Sequence, residues 1–215
     1  MNLLRTKVVL LVAAFAFALS VPAFADQVLW NQPYDLKGQV YASQNDTNGL
    51  GNFATTYDNF TVGDGTTITQ FQWTGGYFNG NPGTITGWTI SIYNDNNGQP
   101  GNPIESKHYS GNGSETLLGG NIYTYEIDDA WPVGCKPCNL WISFVPDLVF
   151  PPQWGWASGT GGDGIAYQDY FGNRSQLGAD LAFTLIGTQV PEPGSLALLA
   201  TGVLGVAGTI RRKML

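Results

Sequence analysis

The 215-residue sequence is short of the side chains on which most enzyme chemistry depends: it has one histidine, two cysteines, and charged residues at only 12%. With His108 as the sole imidazole, a Ser-His-Asp or Cys-His arrangement has to recruit that residue. It stands in "IESKHYSG", whose alternating polar residues read as an exposed strand. A structural zinc site is disfavoured, because Cys135 and Cys138 have no second cysteine pair to complete a tetrahedron. Basic residues are scarcer still. Asp26 to Val190 holds four Lys or Arg against fifteen Asp or Glu, a net charge of −11. Such a surface repels phosphate backbones, which excludes nucleic acid as a partner. No 12-residue amphipathic helical pattern and no repeat of fixed period interrupts this segment.

What the chain has is glycine (29), proline (12) and short apolar runs, which suits many strands joined by tight turns. "TTYDNFTV", "TTITQFQWTGGYF", "TITGWTISIY", "NLWISFV" and "DLAFTLIG" are rich in β-branched and aromatic residues and are bounded by Gly, Asn, Asp or Pro. In "TITGWTISIY", Trp88, Ile90 and Ile92 share one face and Thr89 and Ser91 the other, the period of a half-buried strand with a wet outer side. "NDNNGQPGNP" (94–103) and "SGNGSE" (110–115) read as chain reversals. The expectation is an all-β domain over residues 26–188, an antiparallel β-sandwich of jelly-roll type.

The two ends differ from this body. Arg5 and Lys7, an apolar stretch from Val8 to Leu19, and the small residues Ala23 and Ala25 form a secretory signal over residues 1–25, cut before Asp26 by way of Sec-type export machinery. At the other end, residues 189–215 carry Pro191-Glu192-Pro193, an uncharged run from Leu196 to Ile210, and Arg211-Arg212-Lys213. The run is short but workable for a membrane-spanning helix, about 25 Å when counted from Gly194. The basic end and Arg5 and Lys7 stay cytoplasmic by the positive-inside tendency, so the body between them is translocated. Gly202, Gly205 and Gly208 recur every third residue, leaving a small-residue stripe for another membrane helix.

Proline motif, apolar run and basic end, in that order, resemble the PEP-CTERM sorting signal of Gram-negative bacteria. The resemblance implies an exosortase as processing partner, transient insertion in the inner membrane, and delivery to the cell surface or an exopolysaccharide matrix. The body is similar to a recurring β-sandwich module of PEP-CTERM proteins, through "YDNFTV", "ITQFQWTGGYF", "ISIYNDNNGQPG" and "DLAFTLIG". These are strand and turn residues, so that likeness implies a fold and no activity.

Ligand chemistry within the body is sparse. Of the seven Trp, Trp88 and Trp141 sit in strand patterns and read as core. Trp154 and Trp156, on one side of "PPQWGWASGTGGDG", are the candidates for stacking on a glycan. Asp95, Asn97 and Asp163 offer oxygen ligands, but the stretches lack the spaced acids of a calcium loop and read as polar turns, so no metal or other cofactor is expected. Cys135-Lys136-Pro137-Cys138 matches thioredoxin-type spacing without the βαβ frame. A local disulfide in an oxidising compartment, free thiols, and redox chemistry remain open, in that order. The pairs Asp128/Asp129 and Glu105/Glu126 read as solvated acids unless a cleft places them about 5 to 10 Å apart. The functional expectation is a non-enzymatic surface or matrix protein with no catalytic residues. A carbohydrate-binding module for extracellular polysaccharide is the alternative.

Overall fold

A computed structural model describes residues 26–133, 138–189 and 202. The expected signal peptide with Ala23 and Ala25, the Pro191-Glu192-Pro193 motif, the basic residues Arg211, Arg212 and Lys213, and any Cys135–Cys138 bond lie outside these residues. Among the described residues there are fifteen strands: β1 (Gln27–Gln32), β2 (Val40–Ala42), β3 (Gln44–Asp46), β4 (Gly51–Val62), β5 (Thr66–Tyr77), β6 (Gly87–Asp95), β7 (Pro100–Ser110), β8 (Thr116–Gly119), β9 (Ile122–Val133), β10 (Cys138–Leu148), β11 (Trp154–Gly159), β12 (Ala166–Tyr170), β13 (Asn173–Leu177), β14 (Asp180–Leu181) and β15 (Phe183–Gln189). No described helix is long and apolar enough to cross a membrane.

The strands form two sheets. One has eight strands, with β1-β15-β5-β11-β14 as its spine, β9 and then β8 beyond β5, and β2 on β11; the other runs β13-β12-β4-β3-β10-β6-β7. All pairings are antiparallel except β3 with β10, a parallel contact that corrects the purely antiparallel expectation. The hairpin between β6 and β7 closes through Asn97 and Gly98, both at positive φ, in the primed turn whose twist matches its strands.

Both sheets turn alternate side chains to one core. Phe60, Ile90, Ile92, Leu140, Ile142 and Phe144 come from the seven-stranded sheet, and Ile68, Phe71, Trp73, Trp154, Trp156 and Leu185 from the other. Trp73 stacks on Phe144 across the gap with centroids 4.4 Å apart, and Trp88 meets Trp73 and Trp154 edge-on at 4.7 and 5.1 Å. So many large rings fit between sheets roughly 10 Å apart only where the backbone itself makes room. Gly75 does this: a Cβ there falls 2.0 Å from the Trp154 ring and 2.7 Å from the Gly155 carbonyl oxygen.

Trp154 and Trp156 are therefore core residues, both 0% exposed, which overturns their assignment as glycan platforms. They do share a side of β11, but that side faces the core. Their indole N–H groups donate inward, Trp154 to the Tyr125 hydroxyl at 3.0 Å and Trp156 to the Ala182 carbonyl at 2.9 Å. Ser91 is also buried, so the outer face of β6 is not simply wet. Its hydroxyl lies 2.8 Å from that of Ser106 on β7.

At one margin a polar clasp ties the sheets together. Tyr109 and Lys107 of β7 donate to the Asp129 carboxylate of β9 at 2.6 and 2.9 Å, and the Trp131 indole donates to it at 2.8 Å. The Tyr109 hydroxyl bond is the largest of the effects that hold the Asp129 carboxyl down to about 2. A carboxyl with a lowered folded-state pKa stabilises the fold above the ordinary value near 4, and that contribution is lost as pH falls from about 4 to about 2.

Two outcomes follow from this packing. Gly75→Ala lowers the unfolding free energy by about 2 kcal/mol or more, read from urea denaturation, because the added methyl meets a ring and a backbone carbonyl. Asp129→Asn costs about 1–2 kcal/mol at neutral pH, allowing for partial exposure, and the gap to the parent closes between pH 4 and 2 in the same assay.

Candidate functional site

With Trp154 and Trp156 inside, any ligand surface must come from residues that alternate outward. On the seven-stranded sheet these are the odd-numbered positions of β4, β6 and β10. Register places Trp141 between Asn59 of β4 and Tyr93 of β6, and Ser143 between Tyr57 and Ser91. Tyr57, Tyr93, Trp141 and Tyr167 form a small aromatic cluster on this outer face, separate from the main core. Tyr57 and Tyr93 meet edge-on at 5.2 Å, and the Tyr93 hydroxyl lies 3.0 Å from that of Ser143.

Two hollows flank this cluster. One of about 370 Å³ is lined by hydroxyl and amide groups, including Thr55, Thr89, Ser91, Ser106 and Ser143. The other, about 380 Å³, lies between Trp30, Asn59, Asp95, Asn139, Trp141 and the Gly161–Ile165 loop. Two more hollows lie elsewhere, about 400 Å³ beside Gln72 and Glu126 and about 600 Å³ between the Tyr34–Gly38 and Gly119–Ile122 segments. The Trp30–Trp141 hollow is the strongest candidate of the four, because it alone contains Trp30, the one Trp of the seven that is not fully buried.

Local bonding makes the walls rigid. The Trp141 indole donates to Asp95 at 2.8 Å, and the other Asp95 oxygen accepts the Gly98 backbone N–H at 3.0 Å. Asn59 donates to Asp163 at 2.9 Å, whose second oxygen accepts the Ile165 N–H at 2.9 Å. Thr61 donates to Asn139 at 2.9 Å. Asp95 and Asp163 thus serve as turn and loop anchors, in line with the polar-turn reading. Among the described residues no cluster of three or more His, Cys, Asp or Glu is placed to hold a metal ion. Trp30 packs partly against the core, and its partly exposed indole beside carboxylate and amide oxygens offers the two kinds of contact a sugar ring uses, apolar and hydrogen-bonding.

The remaining expected site residues are dispersed. His108 lies on the exposed β7 edge, 2.8 Å from Asp147. Asp128 accepts from Gln70 at 2.7 Å and Glu126 from Gln72 at 2.9 Å, while Asp129 belongs to the clasp and Glu105 lies 3.4 Å from Lys107. One carboxyl escaped sequence reading: Asp58 is fully buried behind the hollow. It accepts the Leu181 N–H at 2.6 Å, and Gln32 donates to it at 2.9 Å. Burial first, and then the charges of Asp180 and Asp163, push its pKa well up. The only sequence signal was its even-numbered place in "YDNFTV", beside Phe60 on the inward face.

Residues 189–213 match the PEP-CTERM protein-sorting motif. The chain is thus an exported exosortase substrate sorted to the cell surface, with a body made mostly of β-strands. No match is found among curated proteins. Among solved structures, infectious bursal disease virus Gt strain aligns at 11% identity and a TM-score of 0.36, over 80% of this chain and 38% of that one. The enzymatically active domain of bacteriophage CBA120 tailspike protein 4 aligns at 15% identity and a TM-score of 0.27, over 75% of this chain and 18% of that one. The chain spans well under half the length of either.

The hollow sets a test of exposure. Acrylamide quenching of the intrinsic fluorescence drops clearly in Trp30→Phe and stays at the parent level in Trp154→Phe or Trp156→Phe.

Proposed function

We propose that this is a non-enzymatic protein of the cell surface or extracellular matrix of a Gram-negative bacterium, delivered by exosortase and associated there with exopolysaccharide. The observation that carries the proposal is the sorting motif at residues 189–213. The body's chemistry supports it, because its carboxylates are engaged in holding the fold. Asp46 caps backbone N–H groups, Asp129 closes the clasp, Asp169 pairs with Arg174, and Asp180 accepts the N–H groups of Gly162 and Gly164. The two-sheet body is, on this reading, a jelly-roll-like scaffold whose work is structural.

The hollow between Trp30 and Trp141 favours a second reading, a carbohydrate-binding module that holds extracellular polysaccharide on the outer face of the seven-stranded sheet. Trp30 supplies the stacking face, with Asn59, Asn139, Asp95 and Asp163 beside it. Its volume lies at the small end of ligand sites, suited to one or two sugar rings.

Sorting and binding are tested separately. Deleting the chain from Pro191 onward, or replacing Glu192 with Ala, abolishes exosortase-dependent processing when membrane and extracellular fractions are compared with and without the exosortase; unchanged processing overturns the sorting proposal. On an array that includes the producer's own polysaccharide, binding lost in Trp30→Ala supports the module. Absence of binding to every extracellular polysaccharide rejects it and leaves the structural role.

A further inference from the structure

The pole of the body where β4 begins carries an apolar tip that neither the core nor the hollows use. Three loops meet there: residues 47–53, 149–153 and 170–173. Leu50, Val149, Phe150, Tyr170 and Phe171 project from them, each between 39% and 55% exposed, around the buried ring of Phe53. Phe53 lies 5.7 Å from Phe150, 6.1 Å from Tyr170 and 5.2 Å from Phe171.

The tip is built to be held in place. Asp46 accepts the backbone N–H groups of Asn48 and Leu50 at 3.0 and 2.9 Å and that of Phe150 at 2.8 Å, which ties two of the loops to one carboxylate. The third loop turns through Phe171 and Gly172, both at positive φ. Asn, Asp or Gly is the usual occupant of the first position in such a turn, and a bulky aromatic there is strained. The chain nevertheless presents a phenylalanine to solvent at the apex.

Charge narrows the occupant. None of the sixteen residues in the three loops is Lys, Arg, Asp or Glu, on a body whose net charge is −11. Anionic surfaces are repelled by that body, and the tip adds no cation to draw them in. Shape and area narrow it further. None of the four hollows is lined by the five projecting side chains, which stand exposed around Phe53. Its exposed apolar surface is on the order of 400 Å². Two such tips meeting head to head bury about 800 Å², short of the roughly 1,000 Å² that a stable protein interface needs. A lipid interface requires no matching concavity and takes aromatic side chains at headgroup depth.

We propose that this tip docks on an uncharged phospholipid surface by inserting Phe150, Tyr170, Phe171 and their aliphatic neighbours. That surface lies away from the end of the last described strand. β15 ends at Gln189 beside Thr66 and Gly63, at the far end of β4, and Phe53 to Val62 spans about 30 Å.

The test uses the segment 26–189, which carries the whole described core, floated with phosphatidylcholine vesicles. Phe150→Ser combined with Phe171→Asn reduces the vesicle-bound fraction at least about tenfold. The exposed apolar pair Leu117→Ser and Leu118→Ser on β8 leaves it at the parent level. Phe171→Asn alone keeps a residue suited to the turn, so its loss of binding is read on a folded protein, checked by near-ultraviolet circular dichroism. In Phe150→Trp, brominated phosphatidylcholine quenches the added indole. A parent that does not float, a double variant that floats equally well, or an added indole left unquenched overturns the proposal. So does concentration-dependent pairing of lipid-free copies that the same substitutions abolish, which assigns the tip to self-association.

Discussion

Indole and phenyl rings packed between two sheets set the terms for the rest of this protein. Trp73, Trp88, Trp154 and Trp156 with Phe144 and Phe183 fill the gap in stacked and edge-on contacts, burying a large apolar area in a chain with little charge to spend on ion pairs. Rings of this size demand local concessions from the backbone, and Gly75 is the clearest. Once the rings occupy the interior, the outer face of the seven-stranded sheet carries mostly hydroxyl, amide and phenol groups around the Trp141 indole.

Charge is handled with similar economy. Four basic residues cannot pair fifteen acids, so the carboxylates are satisfied mostly by neutral donors: backbone N–H groups at Asp46 and Asp180, indole and phenol at Asp129, amides at Asp128 and Asp163. An uncompensated acidic surface stays soluble and keeps copies apart. Asp58 is the most deeply buried of the carboxylates, ahead of Asp46 and Asp180, and that burial is the first cause of its raised pKa.

Local rules made most of the architecture legible. The period of two in "TITGWTISIY" located β6 and its buried face, and "NDNNGQPGNP" marked the chain reversal after it, because both signals depend on residues close in the chain. The tail was legible for the same reason, its three parts being contiguous. What sequence could not supply was the direction of a two-sided strand. "WGWASG" is buried on both faces, so the shared side of Trp154 and Trp156 gave no sign of whether it met solvent or the opposite sheet. The Trp30–Trp141 hollow was equally hidden. Trp30, Asn59, Asp95, Asn139 and Asp163 are scattered from β1 to the β11–β12 loop; the pairing of β4, β10 and β6 joins Asn59, Asn139 and Asp95, and Trp30 reaches them from β1 of the other sheet and Asp163 from its loop.

The last strand has a mechanical consequence. β15 lies between β1 and β5, and its C-terminal end leads directly to the sorting segment. A pull on that segment runs along the strand, while the hydrogen bonds to both neighbours lie across it. Those bonds are loaded in shear and must yield together, whereas a strand peeled from its end gives up one bond at a time. A body tethered through β15 is therefore gripped by the element best placed to bear tension.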